Sequence, residues 1–433
     1  MDYAGAIEYL DRHLNREATA GRIEGLSLES IRRLAAVLGD PQRAYKVVHI
    51  TGTNGKGSVA RMVSALLVEH GLSVGTYSSP HLERINERLS WNLEPISDDD
   101  FAALISDVAE LEPLAGVTPS YFELLTAAAL SWFAHNAVDV AVVEVGLLGR
   151  YDATNIVDAD VAVITNIGFD HTDGVGDWRS AIAAEKAGII KPGSFLVLGE
   201  TDPDLRPTFE REPHVGSWIR HEDFDVEQDR VAVGGRLLDL RTPGGVLEDV
   251  FVPLHGRHQA DNAALAVAAT EAFFARPLDA DVVRAAFAGL TMPGRVEVLG
   301  RFPLVVIDGA HNPDGAAALV DTLHDEFDVA GRRILVVGML ADRDVGAMLD
   351  ALEVGRADLL LTCTAPSPRA VPAGAIAAVA TDRFPGLEVE SVPDVPAALG
   401  RALAVATDDD LVLVTGSIYV AGAARSLLAH RGA

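Results

Sequence analysis

A strand that runs straight into a glycine-rich turn and then a helix constrains this chain more than any other stretch, and Lys46–Ser58, KVVHITGTNGKGS, reads that way. Lys46–Ile50 is a short β-branched run suited to a buried strand. It stops at Thr51-Gly52, and Val59, Met62, Val63, Leu66 and Leu67 then fall at helical spacing. In this setting backbone N–H groups and a helix N-terminus can cradle phosphate. The candidate ATP-binding loop is Gly52, Thr53, Asn54, Gly55, Lys56, Gly57 and Ser58. Its glycines allow close approach to an anion, Lys56 supplies a point charge for the outer phosphates, and Ser58 offers a hydroxyl to Mg²⁺ or phosphate. The standard phosphate loop would place glycine where Ile50 stands and would not separate Lys56 from Ser58 by Gly57. A chance glycine turn is the competing reading.

The rest of the chain is large enough to build around such a loop: 433 residues suggest two or three domains. A hydrophobic fraction of 49% argues for an ordinary globular enzyme. The 35 basic and 63 acidic residues leave a net charge of −28, which repels polyphosphate and anionic lipid. No nucleic acid or membrane partner is expected, and a nucleotide must be held by local glycine loops, a few cations and metal. One cysteine, Cys363, excludes an intramolecular disulfide, and its place in ADLLLTC suggests a buried structural thiol. The charged N-terminus MDYAGAIEYLDRH shows no signal peptide, and the apolar stretch 124–148 is interrupted by His135, Asn136, Asp139 and Glu144. A cytoplasmic monomer is expected.

Residues 2–40 read as a helical preface with a polar gap near Asn15–Glu24. Leu72–Tyr77 is a second strand, ending at Ser78-Ser79-Pro80-His81, where a serine most often caps a turn. Ser97–Leu111 and Pro119–His135 read as helices, the second carrying Phe122 at a core spacing. Val138–Val143 is a continuous apolar strand closed by Glu144; a buried unpaired carboxylate is costly, so this one calls for a cation, either a salt-bridge partner or Mg²⁺. The loop GLLGRYDATN (146–155) follows, then the strand Asp160–Ile167, with His171 just beyond it. The helix Trp178–Ala187 contains Lys186, which on its own reads as a phosphate-facing cation or a solvated helix residue.

After the strand Ser194–Leu198, short alternating runs between 201 and 254 suggest a small β excursion on the first domain. The stretch LHGRHQADNAALA (254–266) puts His258, Gln259 and Asn262 at one helix start, where Asn262 either meets a nucleotide or caps the helix. Beyond Met292-Pro293-Gly294-Arg295 the chain alternates cleanly: strands Leu304–Ile307, Arg332–Val337, Ala357–Thr362, Leu387–Val392 and Leu411–Thr415, with helices between. The first ends in DGAHNP (308–313) and the last in Gly416-Ser417-Ile418-Tyr419. The fold class is therefore α/β, a P-loop-containing doubly wound sheet domain (1–293) followed by a second, smaller Rossmann-like α/β domain (294–433). Ligands in open α/β sheets sit at the carboxyl ends of strands. Gly52–Ser58, Ser79, Glu144 and His171 each follow an expected strand of the first domain, and Asp308, His311 and Ser417 do so in the second.

GTNGKGS is the variant carried by ATP-dependent amide ligases of the Mur type. With SSPH and Glu83–Arg88, GRYDATN, DHTD…EKAGI, PGR and DGAHNP, nearly the whole chain resembles the folylpolyglutamate synthase/dihydrofolate synthase family. Two residues depart from the family loop GLGGRLDATN: Leu148 replaces a glycine, though leucine resists positive φ, and Tyr151 replaces a leucine. The resemblance implies that Ser79 and His171 ligate magnesium, with two ions in all, and that Lys186 is carbamylated; Glu144 joins them as a candidate ligand from its own position. The resemblance also implies that Arg295 reaches the ATP phosphates; Asn262 and Asp308 are further candidates for the nucleotide. Phe122, Arg150 and Asp152 are expected to bind the pteroyl substrate, and Asp308, His311 and Ser417 the acceptor pocket. The implied reaction adds L-glutamate to dihydropteroate or to the terminal glutamate of a folate. Lys56, Lys186, His171, Asp308 and His311 form the expected catalytic set. A Mur-type peptidoglycan ligase and a P-loop phosphotransferase are the alternatives.

Overall fold

The computed structural model describes residues 1–15, 27–169, 176–341 and 343–429. Two compact units divide the chain: the first runs to Leu290 without Leu254–Arg257, and the second holds those residues and the chain from Thr291 onward.

In the first unit the helices Tyr3–Asp11 and Glu29–Val37 precede the first strand; the middle of the expected helical preface lies outside the described residues. The strands are β1 (Lys46–Thr51), β2 (Val74–Tyr77), β3 (Leu89–Trp91), β4 (Glu94–Pro95), β5 (Val140–Glu144), β6 (Val161–Ile164), β7 (Phe195–Leu198) and β8 (Gly216–Ile219). They form one sheet in the order β4-β3-β2-β5-β1-β6-β7-β8. From β2 to β8 every pairing is parallel, while β3 and β4 add an antiparallel edge. In β1, Val47 to Thr51 are all buried, as a strand covered on both faces must be. The helix Lys56–Glu69 buries Val59, Met62, Val63, Leu66 and Leu67, the stripe expected from their spacing. Each such side chain contributes about 1.5–3 kcal/mol by leaving water. The helix Tyr121–His135 starts from a capping box in which Ser120 and Glu123 satisfy each other's N–H groups.

The β excursion is a three-stranded antiparallel sheet, β9 (Asp225–Ala232), β10 (Gly235–Thr242) and β11 (Gly245–Val252), with β10 central. It rests on the same unit, Leu238, Leu240 and Val250 facing inward.

The second unit holds β12 (Glu297–Arg301), β13 (Leu304–Ile307), β14 (Arg333–Val337), β15 (Leu359–Thr364), β16 (Glu388–Asp394) and β17 (Leu411–Thr415), in the order β12-β13-β17-β14-β15-β16. Its five expected strands are parallel; β12, not expected, adds an antiparallel edge. Cys363, next to last in β15, is fully buried as a free thiol, and burial pushes its pKa up to about 12. Among the described residues no helix is long and apolar enough to cross a membrane.

Candidate active site

In the first sheet β2, β5, β1 and β6 are consecutive neighbours, so their carboxyl ends lie side by side. Ile50 pairs with Glu144, Tyr77 with Val143 and Thr51 with Ile164. The glycine-rich turn leaves β1 at this edge. Gly52 has φ 152°, and a Cβ there would lie 1.7 Å from Thr165 Oγ1; Gly55 has φ 83°, and its Cβ would lie 2.5 Å from Asn262 Oδ1. Only glycine fits either place. The helix then begins at Lys56, presenting the N–H groups of its first turn and the positive end of its dipole.

Residues after β6 lace this loop in place. Thr53 N–H donates to Asn166 O (2.9 Å) and Asn54 N–H to Asn166 Oδ1 (2.9 Å). Thr165 Oγ1 donates to Asn54 O (2.6 Å), and Gly168 N–H to Thr53 Oγ1 (2.9 Å). The sequence reading carried this strand on to Ile167 and so missed Thr165 and Asn166, which lie just past its end at Ile164. Lys56 Nζ donates to Gly52 O and Thr53 O, both at 3.1 Å. Lys186, buried in the last turn of its helix, donates from Nζ to the same Gly52 O at 2.7 Å. Two ammonium groups therefore meet on one carbonyl.

Glu144 ends β5 with 4% of its surface exposed. Its Oε2 accepts Ser79 N–H at 3.1 Å, and a Cβ on Gly57 would lie 3.4 Å from the same oxygen. Ser79, Glu144 and the start of the phosphate helix thus adjoin. The Glu144 carboxylate and the hydroxyl that Ser79 carries are hard oxygen donors, the kind that suits Mg²⁺. His171 lies outside the described residues, and among those described no group of three or more His, Cys, Asp and Glu side chains is arranged to hold a metal ion. Asn262 sits inside the helix Arg257–Phe274, past its start, so the capping alternative drops out. Its Nδ2 donates to Gln259 Oε1 (3.1 Å) and its Oδ1 faces Gly55.

The loop 146–155 packs against this group. Leu148 does take positive φ, 57°, a strain of about 1–2 kcal/mol, and its carbonyl accepts Thr51 Oγ1 at 2.6 Å. Phe122 is half-buried against the core and fills the space over Gly146, whose Cβ would lie 2.4 Å from it. The carboxylate of Asp152 is turned onto its own loop: Oδ2 accepts Leu147 N–H (2.8 Å), and Oδ1 accepts Thr154 N–H (3.0 Å) and Thr154 Oγ1 (2.5 Å). Burial raises its pKa, and these hydrogen bonds oppose the rise. Arg150 is engaged elsewhere, donating to Glu212 Oε1 (2.5 Å) and Ala184 O (3.0 Å) beside an open pocket of about 420 Å³ that Arg32 and Lys191 also line. In this structure the Asp152 carboxylate thus holds its own loop, while the Arg150 guanidinium ties that loop to Glu212 and Ala184.

In the second unit β13 and β17 are parallel neighbours, and Asp308 and Ser417 follow their carboxyl ends. Asp308 Oδ2 accepts Val296 N–H (2.8 Å) and Oδ1 accepts Ala310 N–H (2.7 Å). Burial raises its pKa, with the Arg295 charge and these two N–H groups opposing. His311 Nδ1 lies 2.9 Å from Gly309 O, which fixes a proton on that nitrogen. Asn312 caps the next helix through Gly315 N–H (2.8 Å). Ser417 is buried, its Oγ accepting Tyr419 N–H at 3.2 Å, while Thr415 Oγ1 is buried with no partner among the described residues.

Residues 50–270 match the Mur ligase middle domain, and residues 294–418 match the Mur ligase glutamate ligase domain. The chain is 42% identical to a Mycobacterium tuberculosis protein named dihydrofolate synthase/folylpolyglutamate synthase, over 93% of this chain and 90% of that one. The structure of Mycobacterium tuberculosis folylpolyglutamate synthase complexed with ADP superposes with a TM-score of 0.91 at 40% identity, covering 98% of each chain. That of E. coli FolC in complex with DHPP and ADP gives a TM-score of 0.86 at 31% identity, covering 100% of this chain and 99% of the other.

Proposed function

The chain belongs to the folylpolyglutamate synthase/dihydrofolate synthase family of Mur ligases, and from that premise we propose that it adds L-glutamate to dihydropteroate and to the terminal glutamate of folates, converting ATP to ADP and phosphate. The observation that carries this reading is the edge of the first sheet. Two lysines there meet on the Gly52 carbonyl, and a buried carboxylate stands beside Ser79 at the mouth of the phosphate helix.

The substrate carboxylate attacks the γ-phosphorus and forms an acyl phosphate as ADP leaves; the amine of glutamate then attacks the acyl carbon and phosphate departs. In phosphoryl transfer most of the catalysis is positioning and neutralisation of charge. Lys56, the loop N–H groups of Gly52–Ser58 and the helix N-terminus supply the fixed positive potential. Ser79 and Glu144, with His171 by resemblance, would hold Mg²⁺, which when bound neutralises charge on the phosphates. Asn262, facing Gly55, is assigned to the nucleotide, as are Arg295 and Asp308. Lys56 is free to exchange two neutral carbonyls for phosphate oxygens, since a charge-assisted bond to an anion is the stronger one.

Carbamylation of Lys186 by CO₂, with loss of two protons from the ammonium, would make it an anion while leaving one N–H able to donate to the Gly52 carbonyl. The pteroyl end is assigned to Phe122 and the 146–155 loop. The acceptor glutamate is assigned to the second unit, with Asp308 and His311 toward its amine and Ser417 toward a carboxylate. The test is direct: purified protein with Mg-ATP, glutamate and either dihydropteroate or a reduced folate, followed by product mass. Adducts heavier by one glutamate residue, formed with stoichiometric ADP, are expected. ATP turnover independent of both co-substrates, or a requirement for a UDP-linked acceptor, sinks the reading.

A further inference from the structure

The strand that feeds the phosphate loop carries an imidazole in its interior. His49 lies in β1 between Val48 and Ile50, with no exposed surface. Its Nε2 is 2.9 Å from Thr154 Oγ1, and Thr154 Oγ1 is 2.5 Å from Asp152 Oδ1. Asp152 also accepts the N–H groups of Leu147 and Thr154, so its carboxylate gathers backbone from both ends of the 146–155 loop. The direction of the relay follows: the Thr154 hydroxyl donates to the carboxylate, so it accepts from His49, which carries its proton on Nε2.

We propose that His49 is the positioning residue for the 146–155 loop, acting through Thr154 and Asp152. The assignment rests on the reading that this loop belongs to the site of the pteroyl or folate substrate.

Three observations bear on it. His49 Nδ1 is buried with no partner among the described residues, a cost that an aliphatic side chain in the same strand would not carry. The relay reaches a loop that β1 also holds at a second point, where Thr51 donates to the carbonyl of strained Leu148. And the loop is wedged on both sides: a Cβ on Gly146 would lie 2.4 Å from Phe122, and one on Gly149 would lie 3.0 Å from Lys186 Cα. A loop released from β1 therefore shifts against Phe122 and against the helix that carries Lys186. Burial first, and the Lys191 charge second, hold the imidazole at a pKa of about 3, so it orients and does not shuttle protons.

The test compares Thr154→Val and His49→Leu, which break the relay, with Thr154→Ser and His49→Gln, which keep a hydroxyl and a donor. KM for dihydropteroate should rise about tenfold in the first pair, with KM for ATP within about twofold and the melting temperature of His49→Leu not below wild type. The second pair should recover most of that loss. An unmoved KM in Thr154→Val overturns the assignment, and so does a parallel rise for both substrates that tracks lost stability, as a purely structural residue would give. Thr154→Val carries the test if His49→Leu fails to fold. A wild-type protein that ligates no glutamate would sink the functional reading and this assignment with it. Wild-type ligation with unchanged KM in the variants sinks the assignment alone.

Discussion

At the carboxyl edge of the first sheet one carbonyl, that of Gly52, accepts from the ammonium groups of Lys56 and Lys186; at the edge of the second, one carboxylate, that of Asp308, accepts from the N–H groups of Val296 and Ala310. The first edge keeps its charge on long side chains resting against neutral oxygens. Lys56 can exchange such neutral partners for the oxygens of an incoming polyphosphate. The second keeps its charge on a short side chain gripped by the main chain, which cannot leave without moving the backbone. Adaptable cations suit a ligand that arrives as a flexible polyanion, and a fixed anion suits a group that must be met at one angle.

Variants at the two edges should then fail differently. Lys56→Ala has the largest expected effect, a fall in kcat/KM of about 10³-fold for dihydropteroate and folate alike, with the melting temperature unchanged. Wild-type turnover in that variant breaks the comparison outright. Lys186→Ala is expected to lose about 10²-fold in kcat. If a carbamate forms at Lys186, short carboxylic acids restore part of this activity, and undiminished turnover refutes that role. Asp308→Ala should differ in kind: two buried N–H groups lose their acceptor, so stability falls by about 2–4 kcal/mol together with activity. A denaturant titration showing wild-type stability there would mean that the second edge is no more rigid than the first.

The smallest expected effect lies beneath the first edge. His49 titrates near 3 when folded and near 6.5 when unfolded, so the unfolded chain binds the extra proton between those values, and stability falls as pH drops below about 6.5. From pH 7.5 to 5 the loss from this group is about 2 kcal/mol. The Lys191 charge acts on this imidazole, and Asp152 is joined to it through Thr154 Oγ1. His49→Leu, compared with wild type by thermal unfolding at both pH values, should be less acid-labile by that amount; equal slopes would count against a buried neutral imidazole.

The contiguous elements were legible in the sequence because local chemistry dictates them. The β-branched run Lys46–Ile50, the glycines of the turn after it and the helical stripe from Val59 to Leu67 all declare themselves in the local sequence. The strand-end rule placed Ser79, Glu144, Asp308 and Ser417 after separate strands, and the structure makes neighbours of β2 and β5 in the first sheet and of β13 and β17 in the second. Illegible were β3, β4, β8 and β12, at or next to the sheet edges, which are partly exposed and lack the continuous apolar run that marked equally short inner strands such as β6. Also hidden were the partners of Arg150 and Asp152. A guanidinium or a carboxylate in a loop looks identical whether it faces a substrate or its own backbone, and only the fold brings Glu212 to the one and the Leu147 N–H to the other. His49 carried a signal, one imidazole in an apolar strand, but its meaning depended on Thr154, more than a hundred residues away.

Cys363 turns one detail of β15 into an instrument. The chain has a single thiol, it lies wholly within the second unit, and its thiolate is suppressed until the sheet around it opens. The rate at which a maleimide reacts with the untouched protein is therefore a clock for opening of that unit alone. Slowing of the clock by glutamate, or by nucleotide, would report which of them braces the second unit without any label being added.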